Sequence, residues 1–328
     1  MVLTTERLIM RPWEETDAES LYEYAKDDRI GPVAGWPVHT SADNSLEIIR
    51  TVLSAPETYA VCLKEDGRAI GSIGLMIGNQ SNIGLPDTDA EAGYWIGAPF
   101  WGRGLIPEGL REMIRHGFAD LRLKNIWCGY FEGNDKSRRV QEKCGFTYHH
   151  TDKDIEWTMM GDIRTEHISR LTREDWISSF TVRELSDEEI HAALDLAWDV
   201  FSEYESPDYS DEGSEEFRKC LHDKEYLSGM KYYGAFDGRK LIGEIGFRPE
   251  RGHICFFFVD GRYHRLGIGT RMFRFLLDNY ASKTITLNSS PYGLNFYQAV
   301  GFAPTDEEQT VNGIRFTPMV YSRSTLRR

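Results

Sequence analysis

The chain has 328 residues, 41% hydrophobic and 27% charged, which excludes wholesale disorder and leaves room for two domains. Net charge is −14, divided as −9 over residues 1–178 (20 Lys/Arg against 29 Asp/Glu) and −5 over the rest (18 against 23). Both halves would repel phosphate backbones, so general nucleic-acid binding is not expected. Cys62, Cys128, Cys144, Cys220 and Cys255 are odd in number and show no C-x-x-C spacing, against a disulfide framework or a zinc site. No window approaches the roughly 18–20 apolar residues of a membrane span, and charge enters too early for a secretory leader. The expectation is a reduced, cytoplasmic protein.

In chain order, an alternation at 8–10 runs into Arg11, and Thr16-x-x-Glu19 reads as the capping box of an amphipathic helix. Residues 59–63, the turn Glu65-Asp66-Gly67-Arg68 and residues 69–75 read as a hairpin, since an Asp-Gly pair between apolar alternations favours a tight turn. A strand at 92–96 then meets the glycine turn WGRGLIP (101–107), a helix at 108–121, a strand at 125–130 and a short helix ending in Gly145-Phe146. The order then repeats. Residues 180–182 run into Arg183, Ser186-x-x-Glu189 opens a helix, and 232–236, Asp237-Gly238-Arg239-Lys240 and 241–247 form a hairpin. A strand at 254–259 meets HRLGIG (264–269), a helix at 270–280, a strand at 284–288 and a short helix ending in Gly301-Phe302. A repeated order of this kind predicts two like domains. We expect them at 1–176 and 177–328, each an α+β unit with one mixed, mostly antiparallel sheet flanked by helices.

A glycine turn feeding a helix presents unpaired backbone N–H groups and the positive end of the helix dipole, which suits a phosphate. A P-loop needs Lys-Ser/Thr after its second glycine, and neither turn has it. A dinucleotide fingerprint needs G-x-G-x-x-G; Gly267 and Gly269 are followed by Met272, and Gly102 and Gly104 by Pro107. A third, competing reading is a resemblance to Arg/Gln-x-x-Gly-x-Gly/Ala, the pyrophosphate loop of an acetyl-CoA enzyme.

At these residues each half resembles a GNAT-superfamily N-acetyltransferase. The C-terminal half is similar to small-substrate members through FVDGRYHRLGIGTRMF (258–273) and NSSPYGLNFYQAVGF (288–302). The N-terminal half resembles the ribosomal-protein N-terminal acetyltransferase branch through GYWIGAPFWGRGLIPEGL (93–110) and GNDKSRRVQEKCGF (133–146). The resemblance implies two tandem acyl-CoA N-acyltransferase folds using acetyl-CoA as acyl donor. It points to Arg103, Gly104, Leu105, Ile106 and Asn134 as cofactor contacts in the first half. In the second it points to Phe258, Val259, Arg265, Leu266, Gly267, Ile268, Gly269 and Thr270. Trp101 and His264 depart from the leading Arg/Gln, and Pro107 removes an N–H at what reads as the first helical position.

Acetyl transfer to an amine needs a neutral nitrogen, donors for the thioester oxygen and an acid for the departing thiolate. Tyr297, four residues before Gly301, occupies the family's general-acid position; a packing tyrosine is the alternative. Glu244 and His253 are the base candidates, with a water relay as a third possibility. In the first half Gln141 stands at the tyrosine position, Ser137 is the candidate hydroxyl and Glu91 the candidate base. Residues 203–216 carry seven carboxylates and no base, which suggests either a cationic acceptor or a solvated loop.

The expected activity is transfer of an acetyl group to a primary amine of a small molecule or peptide, with no metal, nucleic-acid or membrane partner. A protein that binds acyl-CoA as a sensor, with one half (the first) lacking turnover, is the rival. The acceptor's identity and the oligomeric state are not legible.

Overall fold

The computed structural model describes residues 1–281 and 284–323. It divides into two compact units, Met1–Trp176 and Ile177–Arg328. Unit 1 opens with β1 (Leu3–Thr4), β2 (Leu8–Arg11), α1 (Ala18–Ala25), α2 (Gly31–Ala34) and α3 (Ala42–Ile48). There follow β3 (Thr58–Leu63), β4 (Ala69–Ile77), β5 (Asp89–Ile96), α4 (Leu105–Arg115), β6 (Asn125–Phe131) and α5 (Asp135–Lys143). The unit closes with β7 (Thr147–Trp157) and β8 (Asp162–Thr172), and α6 (Arg173–Ser178) spans the division.

Unit 2 runs through β9 (Thr181–Glu184), α7 (Asp187–Tyr204), α8 (Asp211–Cys220), α9 (Lys224–Leu227), β10 (Lys231–Asp237) and β11 (Lys240–Arg248). It continues with β12 (His253–Val259), α10 (Ile268–Asn279), β13 (Thr284–Ser289), α11 (Leu294–Ala299), β14 (Ala303–Pro304), β15 (Gln309–Val311) and β16 (Ile314–Ser322).

Each unit holds a mixed, mostly antiparallel sheet flanked by helices. The strand order is β1-β2-β3-β4-β5-β6-β8-β7 in the first and β14-β16-β13-β12-β11-β10-β9 in the second. The parallel neighbours are β5 with β6 and β12 with β13. Both parallel contacts are brief. β5 and β6 pair from Asp89↔Asn125 to Glu91↔Trp127, and β12 and β13 pair only at His253↔Thr286 and Ile254↔Leu287. Beyond those points the central strands stay bonded to β4 and β11, so each sheet splits along one edge.

The helices after the splits are fixed by burial of their apolar faces. In α4, Leu105, Leu110, Met113 and Ile114 are buried, and in α10 so are Ile268, Met272, Phe273 and Leu276. Truncating one such leucine to alanine would cost about 2–5 kcal/mol.

Several local expectations are corrected. The helices begin at Leu105 and Ile268, not at 108 and 270, because Gly104 (φ +74°) and Gly267 (φ +77°) serve as left-handed N-caps. Pro107 therefore occupies the third helical position, where its missing N–H is still one the helix leaves unbonded. The first capping box is Glu14 with Asp17, ahead of a short 3₁₀ turn, rather than Thr16 with Glu19. Asp17 wins because Arg11 clamps its carboxylate at 2.7 and 2.8 Å. The second box, Ser186 with Glu189, forms as expected.

Candidate active site

The two glycine turns share one backbone. Trp101 (φ −62°, ψ 150°) matches His264 (φ −60°, ψ 152°), and the next residues, Gly102 (φ +76°) and Arg265 (φ +61°), are both left-handed. The Trp101 indole N–H donates to the Ile96 carbonyl at 2.9 Å. His264 Nε2 lies 2.8 Å from the Val259 carbonyl. A carbonyl only accepts, so this nitrogen carries the proton, leaving Nδ1 to accept from the Tyr292 hydroxyl at 3.4 Å. Each ring thus ties its turn to the last residue of the split strand. The residues that break the family pattern perform the same anchoring by different chemistry.

Each turn leaves free amides at the start of its own helix. The first intrahelical bonds run from Glu108 N to Gly104 O and from Arg271 N to Gly267 O, so the amides before them have no partner in their helix. Ile268, Gly269 and Thr270 supply three in unit 2, whereas Leu105 and Ile106 supply two in unit 1 because Pro107 has none. Unit 1 adds charge that sequence reasoning missed. Arg7 pairs with Glu108 at 2.6 Å and donates to the Arg103 carbonyl, and the Lys136 ammonium sits 3.2 Å from the centre of the Trp101 ring. Gly269 has a packing reason of its own: a Cβ there would lie 2.9 Å from the Phe296 ring.

The ladder phase identifies which backbone groups face the splits. Asp260 N–H bonds Ile242 O, so Phe258, two residues earlier and opposite Glu244, also spends its backbone groups on β11. Phe257 and Val259 present theirs across the split. The expectation that Phe258 offers a backbone contact is therefore corrected; its ring joins the core against Phe217.

Around the unit 2 split, Glu244 is 1% exposed and neither carboxylate oxygen has a hydrogen-bond partner. Burial drives its carboxyl well above the usual range. Tyr297 packs edge-on against Phe257, with ring centres 6.1 Å apart. Burial, then the charges of Glu205 and Glu244, push its phenol upward. Glu205 is pushed up to about 7 by burial, against a hydrogen bond from Ser290. It follows the end of α7, where the Tyr204 ring stacks near His264 and Tyr292, at 5.0 and 5.4 Å. Glu205 belongs to the acidic run, yet nothing in the run marks it as the residue that turns inward. His253 is not brought to Glu244. It opens β12 opposite Arg248, five positions from the Glu244↔Phe258 pair, and its Nδ1 lies 2.9 Å from the Thr286 hydroxyl.

In unit 1, Glu91 is buried in the middle of the sheet, not on an exposed edge. Its Oε2 accepts from the Asn82 amide (2.8 Å) and the Ser81 hydroxyl (3.1 Å), and burial raises its pKa. Asn134 caps α5 by accepting from the Ser137 amide at 3.2 Å. The Ser137 hydroxyl is 3.0 Å from the Tyr94 hydroxyl, and Gln141 lies buried below with its Nε2 on the Gly129 carbonyl. Nothing in the sequence around Tyr94 marks it as part of the site. Counting back from the anchors Trp101 and His264, Tyr94 corresponds to Phe257, just as Gln141 corresponds to Tyr297. Unit 1 carries its phenol on the strand and unit 2 on the helix.

Known acetyltransferases resemble both halves of the chain. The acetyltransferase (GNAT) domain is matched twice, over residues 7–147 and, by a second model of that description, over 205–323. A putative ribosomal N-acetyltransferase, YdaF of Bacillus subtilis (strain 168), is 32% identical over 148 residues, 43% of this chain and 78% of that protein. An uncharacterized N-acetyltransferase, p20 of Bacillus licheniformis, is 30% identical over 129 residues, 38% of this chain and 70% of that protein. The crystal structure of a GNAT-family acetyltransferase from Bacillus anthracis aligns with 20% identity and a TM-score of 0.48, over 53% of this chain and 99% of that one. The chain belongs to the GNAT acetyltransferase family, with one GNAT domain matched in each of its two units.

Proposed function

We propose that the protein is a tandem acetyl-CoA-dependent N-acetyltransferase whose unit 2 acetylates a cationic primary amine. One observation carries the reading: Glu244, fully buried opposite Phe258 of the split strand, has no partner for either carboxylate oxygen, and its charge and that of Glu205 both raise the Tyr297 phenol. An unpartnered buried carboxylate is costly unless it takes up a proton or a cation.

The residues present fit the acyl donor. The α10 amides form a pyrophosphate cradle, Arg265 stands at its rim, and Phe257 and the Val259 amide face the split, the Val259 carbonyl being held by His264. When bound, acetyl-CoA would supply a thioester whose cleavage leaves a thiolate.

This chain's groups would do the rest. An alkylammonium with a pKa of about 10 must lose a proton before its nitrogen can attack. Glu244, its proton affinity raised by burial, is suited to take that proton, with Glu205 holding the remaining positive charge nearby. Tyr297 keeps its proton through the working pH range and can hand it to the departing sulfur. The test is thiol release across a panel of amines. Wild-type protein should favour cations, and Glu244→Gln should lower kcat by roughly 10²–10⁴. Release unchanged in that variant would refute the assignment.

A second reading, binding without turnover, has support in unit 1 alone. Pro107 deletes one cradle amide there, and Gln141 cannot protonate a thiolate. Acetyl-CoA binding to a Tyr297→Phe protein, with no thiol release from any amine, would favour it.

A further inference from the structure

A cleft of about 410 Å³ lies within unit 1, walled by the loop carrying Asn82, by Trp127 on β6, by β7 residues including Ile155 and Trp157, and by Glu166 on β8. Asn82 is the residue whose amide holds Glu91, so the cleft lies next to the candidate base.

Its two indoles are already committed. Trp127 N–H donates to Asp89 at 2.9 Å and Trp157 N–H to the Gly35 carbonyl at 2.6 Å. Both rings are therefore held in place and have no donor left for a ligand. His150 is taken up by Asp152 at 3.2 Å.

Glu166 differs from all of these. It is 8% exposed, lines the cleft, and has no hydrogen-bond or ion-pair partner among the described residues. Its carboxylate occupies the space that a side chain at Gly129 would fill, which seats it against β6. Burial, then the charges of Glu91 and Asp152, push it up to about 7. The lining contains no lysine or arginine. Asp152 adds a second negative charge to the lining and His150 is paired with it, while the Arg170 guanidinium lies over the Trp127 ring at 5.3 Å and forms no ion pair with Glu166, so Glu166 takes up either a proton or a cation that a ligand brings.

We infer that this cleft binds an organic primary ammonium ion with an apolar body, its head paired with Glu166 and its body lying along Trp127, Ile155 and Trp157. The volume suits a small organic ligand, and a cation against carboxylate and indole faces gains from both. The site belongs to unit 1 and goes beyond the acceptor site proposed in unit 2. It requires no turnover.

The test is calorimetry on the full chain with phenethylamine, and with 2-phenylethanol as the uncharged probe of similar shape. The background is Glu244→Gln, which weakens cation binding in unit 2. We expect phenethylamine to bind, Glu166→Gln to weaken it by roughly ten- to hundred-fold, and 2-phenylethanol to bind both proteins equally weakly. Ile155→Lys, which places an ammonium in the cleft from its own wall, should abolish phenethylamine binding even if Glu166→Gln folds poorly. Absence of phenethylamine binding, or affinity unchanged in both variants, would overturn the inference. Thiol release is read separately, so binding without release would leave this site standing while removing catalysis from unit 1.

Discussion

The Tyr94 hydroxyl of β5 lies 3.0 Å from the Ser137 hydroxyl of α5, across the opening between β5 and β6. The corresponding strand position in unit 2 is Phe257, which offers no hydroxyl and instead supports the Tyr297 ring. Unit 1 presents a phenol from the strand and unit 2 one from the helix.

That exchange leads to a paired test. Tyr297→Phe keeps the ring packing and removes only the hydroxyl, so kcat should fall by roughly 10²–10⁴ with little change in acetyl-CoA affinity. If unit 1 is active, Tyr94→Phe should impair it by a similar factor, whereas Gln141→Leu should not. Steady-state kinetics with the other unit inactivated checks both, and a Tyr94→Phe protein with unaltered unit 1 turnover would make Tyr94 a packing residue.

Much of this was legible because both GNAT units rest on strong local signals. Asp-Gly turns, the glycine caps and the Ser186/Glu189 box act within a few residues, so spacing reveals them. What sequence missed is settled by side-chain placement that spacing does not encode, even between residues five to nine apart. The anchoring by Trp101 and His264 depends on carbonyls at the strand ends, and the Glu91 environment on a loop nine residues away. Glu205 and Glu166 read as ordinary surface acids; the packing of whole elements half-buries the first and buries the second. His253 failed for the converse reason, since a place on the right strand says nothing about which end of it faces the split.

The anchor has a direct test. His264→Gln retains a side-chain N–H for the Val259 carbonyl, while His264→Phe keeps an aromatic ring without one. Acetyl-CoA affinity should survive the first change and drop roughly ten-fold in the second, consistent with about 1 kcal/mol for the lost bond plus a less ordered turn. Equal affinities by calorimetry would show that backbone geometry alone holds the turn.

The cradle amides can be counted by exchange between the units. Thr270→Pro copies Pro107 at the same helical position and should weaken acetyl-CoA binding in unit 2 by about 1.5–3 kcal/mol, the range for a bond to a charged group. Pro107→Thr should strengthen binding in unit 1 by a comparable amount. Opposite signs are the expected result, and Thr270→Pro binding as tightly as wild type would remove that amide from the cradle.

Stability should depend on pH through Glu205. Its folded pKa, about 7, lies above its ordinary value of 4.5, so the folded state holds the proton more tightly. This contribution is present in full below pH 4.5 and lost as pH rises through 7. The melting temperature should therefore fall between pH 5 and 8, and Glu205→Gln should flatten that fall. A cationic ligand should offset it too, because the ionised carboxylate then has a partner. Identical melting profiles in wild type and Glu205→Gln would show that this carboxylate is solvated.

The acidic run of 203–216 does not act as one surface. Asp211 and Glu212 occupy the first turn of α8, capped by Ser210, where each offsets the helix dipole by about 0.3–1 kcal/mol. Asp208 is exposed, and its backbone carbonyl receives Arg315. Of the run, Glu205 alone is among the charges that raise the Tyr297 phenol. Neutralising Asp208, Asp211 and Glu212 together should thus raise KM for a cationic acceptor modestly, in a way that added salt removes. Glu205→Gln alone should raise it more, and that increase should persist at high salt because a buried charge is poorly screened. Kinetics at low and high ionic strength distinguish the two, and a larger effect from the exposed trio would return acceptor recognition to long-range attraction.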